Sequence, residues 1–157
     1  MGPDLLSVRR PVRRSPADAT SLDQIEETVV PNFRRGLEEA GRSPEEADVT
    51  TEFAAHVGDP DDLVAEIRDR GEYIPDETEL DNPDPRSVQA VANRQLSEVS
   101  DEELRDANTI TDDPAEIVAK LERLEAAGVT RVLVGSAVGD PYRTIETFEE
   151  EVIPRFD

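Results

Sequence analysis

The C-terminal third of this chain narrows its fold more than any other stretch. Asp112 or Asp113 can cap a helix, Pro114 sits early in its first turn, and Ile117, Val118, Leu121 and Leu124 form one apolar stripe before Gly128. Thr130 to Val134 then reads as a buried strand, Gly135-Ser136-Ala137-Val138-Gly139 as a loop, and Tyr142 to Phe156 as a further helix with Ile145, Phe148 and Val152 on one side. A helix, an apolar strand, a glycine-bearing turn and another helix in that order predict an α/β fold with a parallel sheet.

The same pattern extends upstream. Ser21 to Gln24 fits a capping box. Leu22, Ile25, Val29, Val30, Phe33 and Leu37 recur at helical spacing up to Gly41, which predicts a helix kinked near Pro31. Asp48 to Val57 is rich in β-branched residues and closes at Gly58-Asp59-Pro60, so a strand leads into a helix that carries Leu63, Val64 and Ile67 and ends at Gly71. Residues 72–86 hold Pro75, Pro83 and Pro85 among acidic groups and read as an exposed loop. Helices around Arg86 to Leu96 and Asp101 to Asp106 follow, and Asn108 to Thr111 fits either a strand or a turn. About three strands result, too few for a closed eight-stranded barrel of some 250 residues.

Charge and composition restrict function. The 157 residues carry 38 acidic and 17 basic side chains, a net charge of −21, which opposes binding to a phosphate backbone. Lys120 is the only lysine. An acid-rich, lysine-poor surface predicts a halophilic protein, because molar salt screens self-repulsion over a few ångströms; an acidic mesophilic protein is the alternative. No window has the length and apolarity of a membrane span, and no secretory signal is evident. The absence of cysteine and the presence of His56 alone exclude a thiolate or histidine-rich metal site and make the cytoplasm the expected compartment. The clusters Asp59-Asp61-Asp62, Asp112-Asp113 and Glu149-Glu150-Glu151 lack the spacing of a calcium loop and read as solvated helix starts and faces. Residues 1–20 stand apart, since Arg9, Arg10, Arg13 and Arg14 lie between Pro3, Pro11 and Pro16. They read as an irregular leader, disordered or outside the ancestral reading frame.

Two features are candidates for a site. The Gly135 to Gly139 turn follows a strand, at the carboxyl end where parallel α/β folds bind ligands, although it has neither a dinucleotide fingerprint nor a phosphate loop. His56 lies near another strand end, where a general acid, a cofactor contact or a substrate contact would sit; a half-buried strand histidine is the plainer reading.

Four segments together resemble one family: Thr28 to Arg42, Asp112 to Glu116, Ala127 to Ser136 and Glu151 to Phe156. They are similar to the luciferase-like monooxygenase superfamily. Within it the likeness is to the deazaflavin (coenzyme F-420)-dependent oxidoreductases, the group of the glucose-6-phosphate dehydrogenases and methylenetetrahydromethanopterin reductases, and it covers residues 21–157. The resemblance implies the C-terminal portion of an eight-stranded (β/α) TIM-type barrel, incomplete in this chain. It also implies hydride transfer between coenzyme F-420 or FMN and a small organic substrate, with Gly135, Ser136 and Gly139 at the cofactor ring; His56 is a candidate substrate contact by its strand-end position alone. Arg105 lies near where the glucose-6-phosphate dehydrogenases place a basic substrate-phosphate residue. The residues expected to carry catalysis belong to the N-terminal strands, so the chain alone would be inactive. Self-association, or a chain supplying the missing half, is then the expected partnership. The alternative is a non-catalytic acidic α/β interaction module.

Overall fold

A computed structural model describes residues 22–44, 47–71 and 84–156. Ser21, the leader at 1–20 and most of the expected acidic loop lie outside the described residues.

The first helix, α1, runs through three segments, Leu22–Gln24, Ile25–Val29 and Val30–Glu39. It neither breaks at Pro31 nor splits in two. Proline has no N–H and crowds the carbonyl four residues back. The chain accommodates it with a π turn just upstream, in which the Val30 N–H reaches the Ile25 carbonyl. Ile25, Val30 and Leu37 stay buried across the junction.

The stretch expected as one strand is two pieces, β1 (Thr50–Ala54) and β2 (His56–Val57). The two pieces pair on opposite sides. β1 runs parallel to β4 (Arg131–Gly135), with Phe53 opposite Val134 and Ala54 opposite Gly135. β2 runs parallel to β3 (Ile110–Thr111), with His56 opposite Ile110. The hand-over falls at Ala55, whose N–H donates to the Gly135 carbonyl while the next N–H, of His56, donates to Thr109. The spatial order is therefore β4, then β1 with β2, then β3. Among the described residues β3 and β4, consecutive in the chain, are not hydrogen-bonded to each other, and each ladder has two strands. The α5 crossover (Pro114–Ala127) passes over the central strand to reach β4.

Four helices begin with the same dipeptide. Asp59-Pro60, Asp84-Pro85, Asp113-Pro114 and Asp140-Pro141 open α2 (Pro60–Arg70), α3 (Pro85–Glu98), α5 and α6 (Pro141–Thr147). Each aspartate accepts a hydrogen bond from the backbone N–H two residues on, and each proline fills a position whose N–H would have no helical partner. Asp84 to Arg86 thus belong to a helix start, and the expected loop ends earlier than residue 86. The N-cap of α5 is Asp113 rather than Asp112. The fifth start, α4 (Asp101–Asn108), has a capping box between Ser100 and Glu103. After Thr147 the last helix widens into a π turn over Phe148–Val152 and then tightens to a 3-10 turn over Ile153–Arg155.

The core has two parts. One face of the sheet, with Phe53, Ala55 and Val57, packs against Ile25 and Val30 of α1, Ile117 and Leu124 of α5, and Val152. A second cluster joins Leu63, Val64 and Ile67 of α2 to Leu96, Leu104, Ile110 and Val138. The opposite face of β1 and β4 is bare: Thr50, Glu52, Arg131, Leu133 and Gly135 are all exposed. β4 was expected to be buried, but Leu133 is 55% and Val134 44% exposed. The strand has the apolar sequence of a sheet interior, yet among the described residues it is paired only with β1.

Candidate functional site

The loop after β4 folds back onto α2 and β2, and each of its residues from Ser136 to Gly139 has an anchor. The Ser136 hydroxyl is 3.2 Å from His56 Nδ1. The Ala137 carbonyl accepts from Arg70 at 2.7 Å. Val138 is buried, and its N–H points at His56 Nδ1 from 3.5 Å. The Gly139 N–H donates to Glu66 Oε2 at 2.9 Å, and Glu66 is in turn ion-paired to Arg70 at 2.5 Å, one turn along α2. The backbone at Gly139 is left-handed (φ +72°), and a Cβ there would lie 2.6 Å from Leu63 Cδ2. Glycine at this position therefore serves the turn and its packing.

The structure thus brings together three residues expected from the sequence to share a site, His56, Ser136 and Gly139, although 80 residues separate the first two. His56 is 3% exposed and sits where β2 meets β3. Its Nδ1 faces the loop. Gly135 differs from the residues that follow it. It is the last residue of β4, exposed, with no atom within 4 Å of where a Cβ would stand. The strand end is open to approach while the loop beyond it is held.

Sequence reasoning missed Glu66 and Arg70. Their spacing of four on a helix marks an ion pair, but nothing local shows that the pair grips backbone 67 to 73 residues away. Arg105 pairs with Asp61 at the start of α2, and its Nε is buried without a hydrogen-bond partner among the described residues. Of the acidic clusters, Asp59 and Asp113 cap helix starts, whereas Glu149, Glu150 and Glu151 lie exposed late in the last helix. Among the described residues no three His, Cys, Asp or Glu side chains gather as a metal site would require, and no helix is long and apolar enough to cross a membrane. A groove of about 590 Å³ between the first turns of α5 and the C-terminal segment, lined by Asp113, Val118, Glu122, Glu151 and Arg155, shares no residue with the loop site.

No family model matches the chain. The chain is 30% identical, over 83% of its length, to 5,10-methylenetetrahydromethanopterin reductase of Methanopyrus kandleri, and covers 41% of that protein. A solved structure of an F420-dependent secondary alcohol dehydrogenase, in complex with an F420-acetone adduct, superposes with a TM-score of 0.69 at 25% identity, covering 88% of this chain and 41% of the other. The chain spans about two-fifths of the length of these relatives. An α/β fold with parallel strands, together with similarity along most of the chain, makes it a homologue of the luciferase-like, coenzyme F420-dependent oxidoreductases over part of their length.

Proposed function

We propose that this chain is the portion of a coenzyme F420-dependent oxidoreductase that presents the open end of β4 to the deazaflavin ring, and that it needs further strands to turn over. The observation that carries the reading is the contrast at the carboxyl end of β4. Gly135 leaves free space for a flat ring to lie against backbone, while Ser136 to Gly139 are anchored. A site whose backbone is already held loses less entropy on binding than a loose one.

The residues present fit such a group in kind: a glycine with no side chain, a serine hydroxyl and a loop backbone fixed from two sides. A bound deazaflavin supplies the carbon that gives or takes a hydride. Ser136 orients by its hydroxyl, and His56 enters through the loop it holds rather than by direct contact with a small-molecule substrate. No described side chain is assigned as catalytic, in keeping with catalytic groups carried on strands outside this chain. FMN is the competing cofactor.

The bare face of β1 and β4 supports incompleteness. Parallel sheets are as a rule covered on both faces, and Leu133 and Val134 lie exposed on a strand whose second edge has no partner among the described residues, an edge that would invite association. The same face favours a second reading, a non-catalytic acidic module that acts through this surface or as one half of a split barrel. On either reading the chain works in the cytoplasm at high salt, consistent with its charge and lack of cysteine.

Fluorescence titration with oxidised F420 in about 3 M KCl, where acidic surfaces are screened, separates the two readings, with FMN as comparison. Saturable quenching by F420 supports the cofactor site. A folded chain that quenches neither leaves only the interaction module.

A further inference from the structure

We infer that Glu66 and Arg70 are positioning residues for the cofactor loop, an acid–base pair on α2 that fixes the backbone beyond β4; the inference rests on the cofactor reading above. Each member of the pair takes one backbone group of the loop and the two take each other. Glu66 Oε2 accepts from the Gly139 N–H at 2.9 Å, Arg70 donates to the Ala137 carbonyl at 2.7 Å, and the Glu66–Arg70 ion pair closes the ring of contacts at 2.5 Å.

Three features make this arrangement a clamp rather than a surface ion pair. First, both backbone contacts are charge-assisted, and such bonds are roughly twice as strong as neutral ones; an isolated exposed pair contributes little. Second, the two contacts straddle Val138, whose side chain is 2% exposed among Leu63, Ile67 and Leu104, so a slip of the loop would drag an apolar side chain out of the core. Third, the clamp acts on the far side of the loop from His56. Ser136 is held from β2 and Ala137 and Gly139 from α2, while Gly135, the strand end proposed to meet the ring, is fixed by its carbonyl to the Ala55 N–H and keeps open space where a side chain would stand. Positioning is worth much at such a place, since a displacement of about 1 Å at a reacting centre can cost on the order of a hundredfold.

The test compares E66A, E66Q and R70M with the wild-type chain in about 3 M KCl. Amide exchange at Gly139 and the F420 dissociation constant from quenching are read together, with circular dichroism as the check on folding. Glutamine keeps an acceptor for the Gly139 N–H but loses the charge and the ion pair with Arg70, so E66Q should fall between wild type and E66A in both readouts. E66A should lose Gly139 protection and weaken F420 binding on the order of tenfold, the size of one charge-assisted hydrogen bond, and R70M should weaken binding in the same direction. A merely structural role would lower the melting temperature of E66A without changing the dissociation constant of the folded protein, and that outcome overturns the proposal. If wild type itself does not quench, the cofactor reading fails, and Gly139 exchange in E66A still decides whether Glu66 holds the loop.

Discussion

Replacing Gly139 by alanine should destabilise the chain by about 2–5 kcal/mol, although it adds only one methyl group. Two costs combine. The backbone at Gly139 is at φ +72°, where an L-residue with a Cβ costs roughly 1–2 kcal/mol. The new Cβ would also stand 2.6 Å from Leu63 Cδ2, whereas carbon atoms pack at about 3.5–4.0 Å. Leu63 cannot swing away freely, because it is 5% exposed within the cluster of Val64, Ile67, Leu96, Leu104 and Ile110; overpacking of this kind costs roughly 1–3 kcal/mol. Gly36 is the control, since it is exposed in the last turn of α1, with no non-local atom within 4 Å of an added Cβ. There the same substitution should stabilise by about 0.5–1 kcal/mol, the ordinary gain of alanine over glycine in a helix. Thermal melts by circular dichroism in molar KCl should place G139A roughly 4–20 °C below wild type and G36A slightly above it. A G139A protein that melts with wild type would refute the packing of the loop against α2.

Other perturbations give separate outcomes. Ile117 has no exposed surface and sits between α5 and the sheet, so I117A should cost about 2–5 kcal/mol in the same melts. The Ser100 backbone N–H, and then its hydroxyl, hold the Glu103 carboxyl below its usual range. The carboxyl binds protons less readily folded than unfolded, so the capping box stabilises α4 above the ordinary glutamate pKa and loses that contribution as pH falls through the lowered one. E103Q should therefore flatten the acid limb of a stability–pH curve, and an unchanged limb would contradict the box. With a net charge of −21, the melting temperature should rise steadily from about 0.1 M to about 3 M KCl; a flat or falling response would count against a salt-adapted surface.

The helices were legible because each leaves a chemical mark in the chain. Asp59-Pro60 and Asp113-Pro114 announced α2 and α5, and the same pair at Asp84-Pro85 and Asp140-Pro141 marks the two starts that periodicity alone placed late. The parallel sheet followed from the alternation of elements. What the sequence did not carry were relations between distant segments. Val132-Leu133-Val134 has the composition of a buried strand, but burial depends on a neighbour that periodicity does not supply. The change of partner at Ala55 has no local signature, since β-branched residues suit either ladder. Proline at 31 signalled a disturbance in α1, but whether it would become a kink, a break or a π turn was decided by keeping Ile25 and Val30 both in the core. At the candidate site His56, Ser136 and Gly139 were each legible as strand-end or loop residues. Their meeting, and the grip of Glu66 and Arg70 on the loop, arises only when α2 folds back against the end of β4.

The central claim is that the open carboxyl end of β4 receives the deazaflavin ring, and amide exchange mapped with and without oxidised F420 in about 3 M KCl tests it most directly. Slowed exchange centred on Gly135, Ser136 and Ala137, with little change in the groove lined by Glu122 and Glu151, is the result expected. Saturable binding that protects some other surface and leaves these amides unchanged would contradict the account.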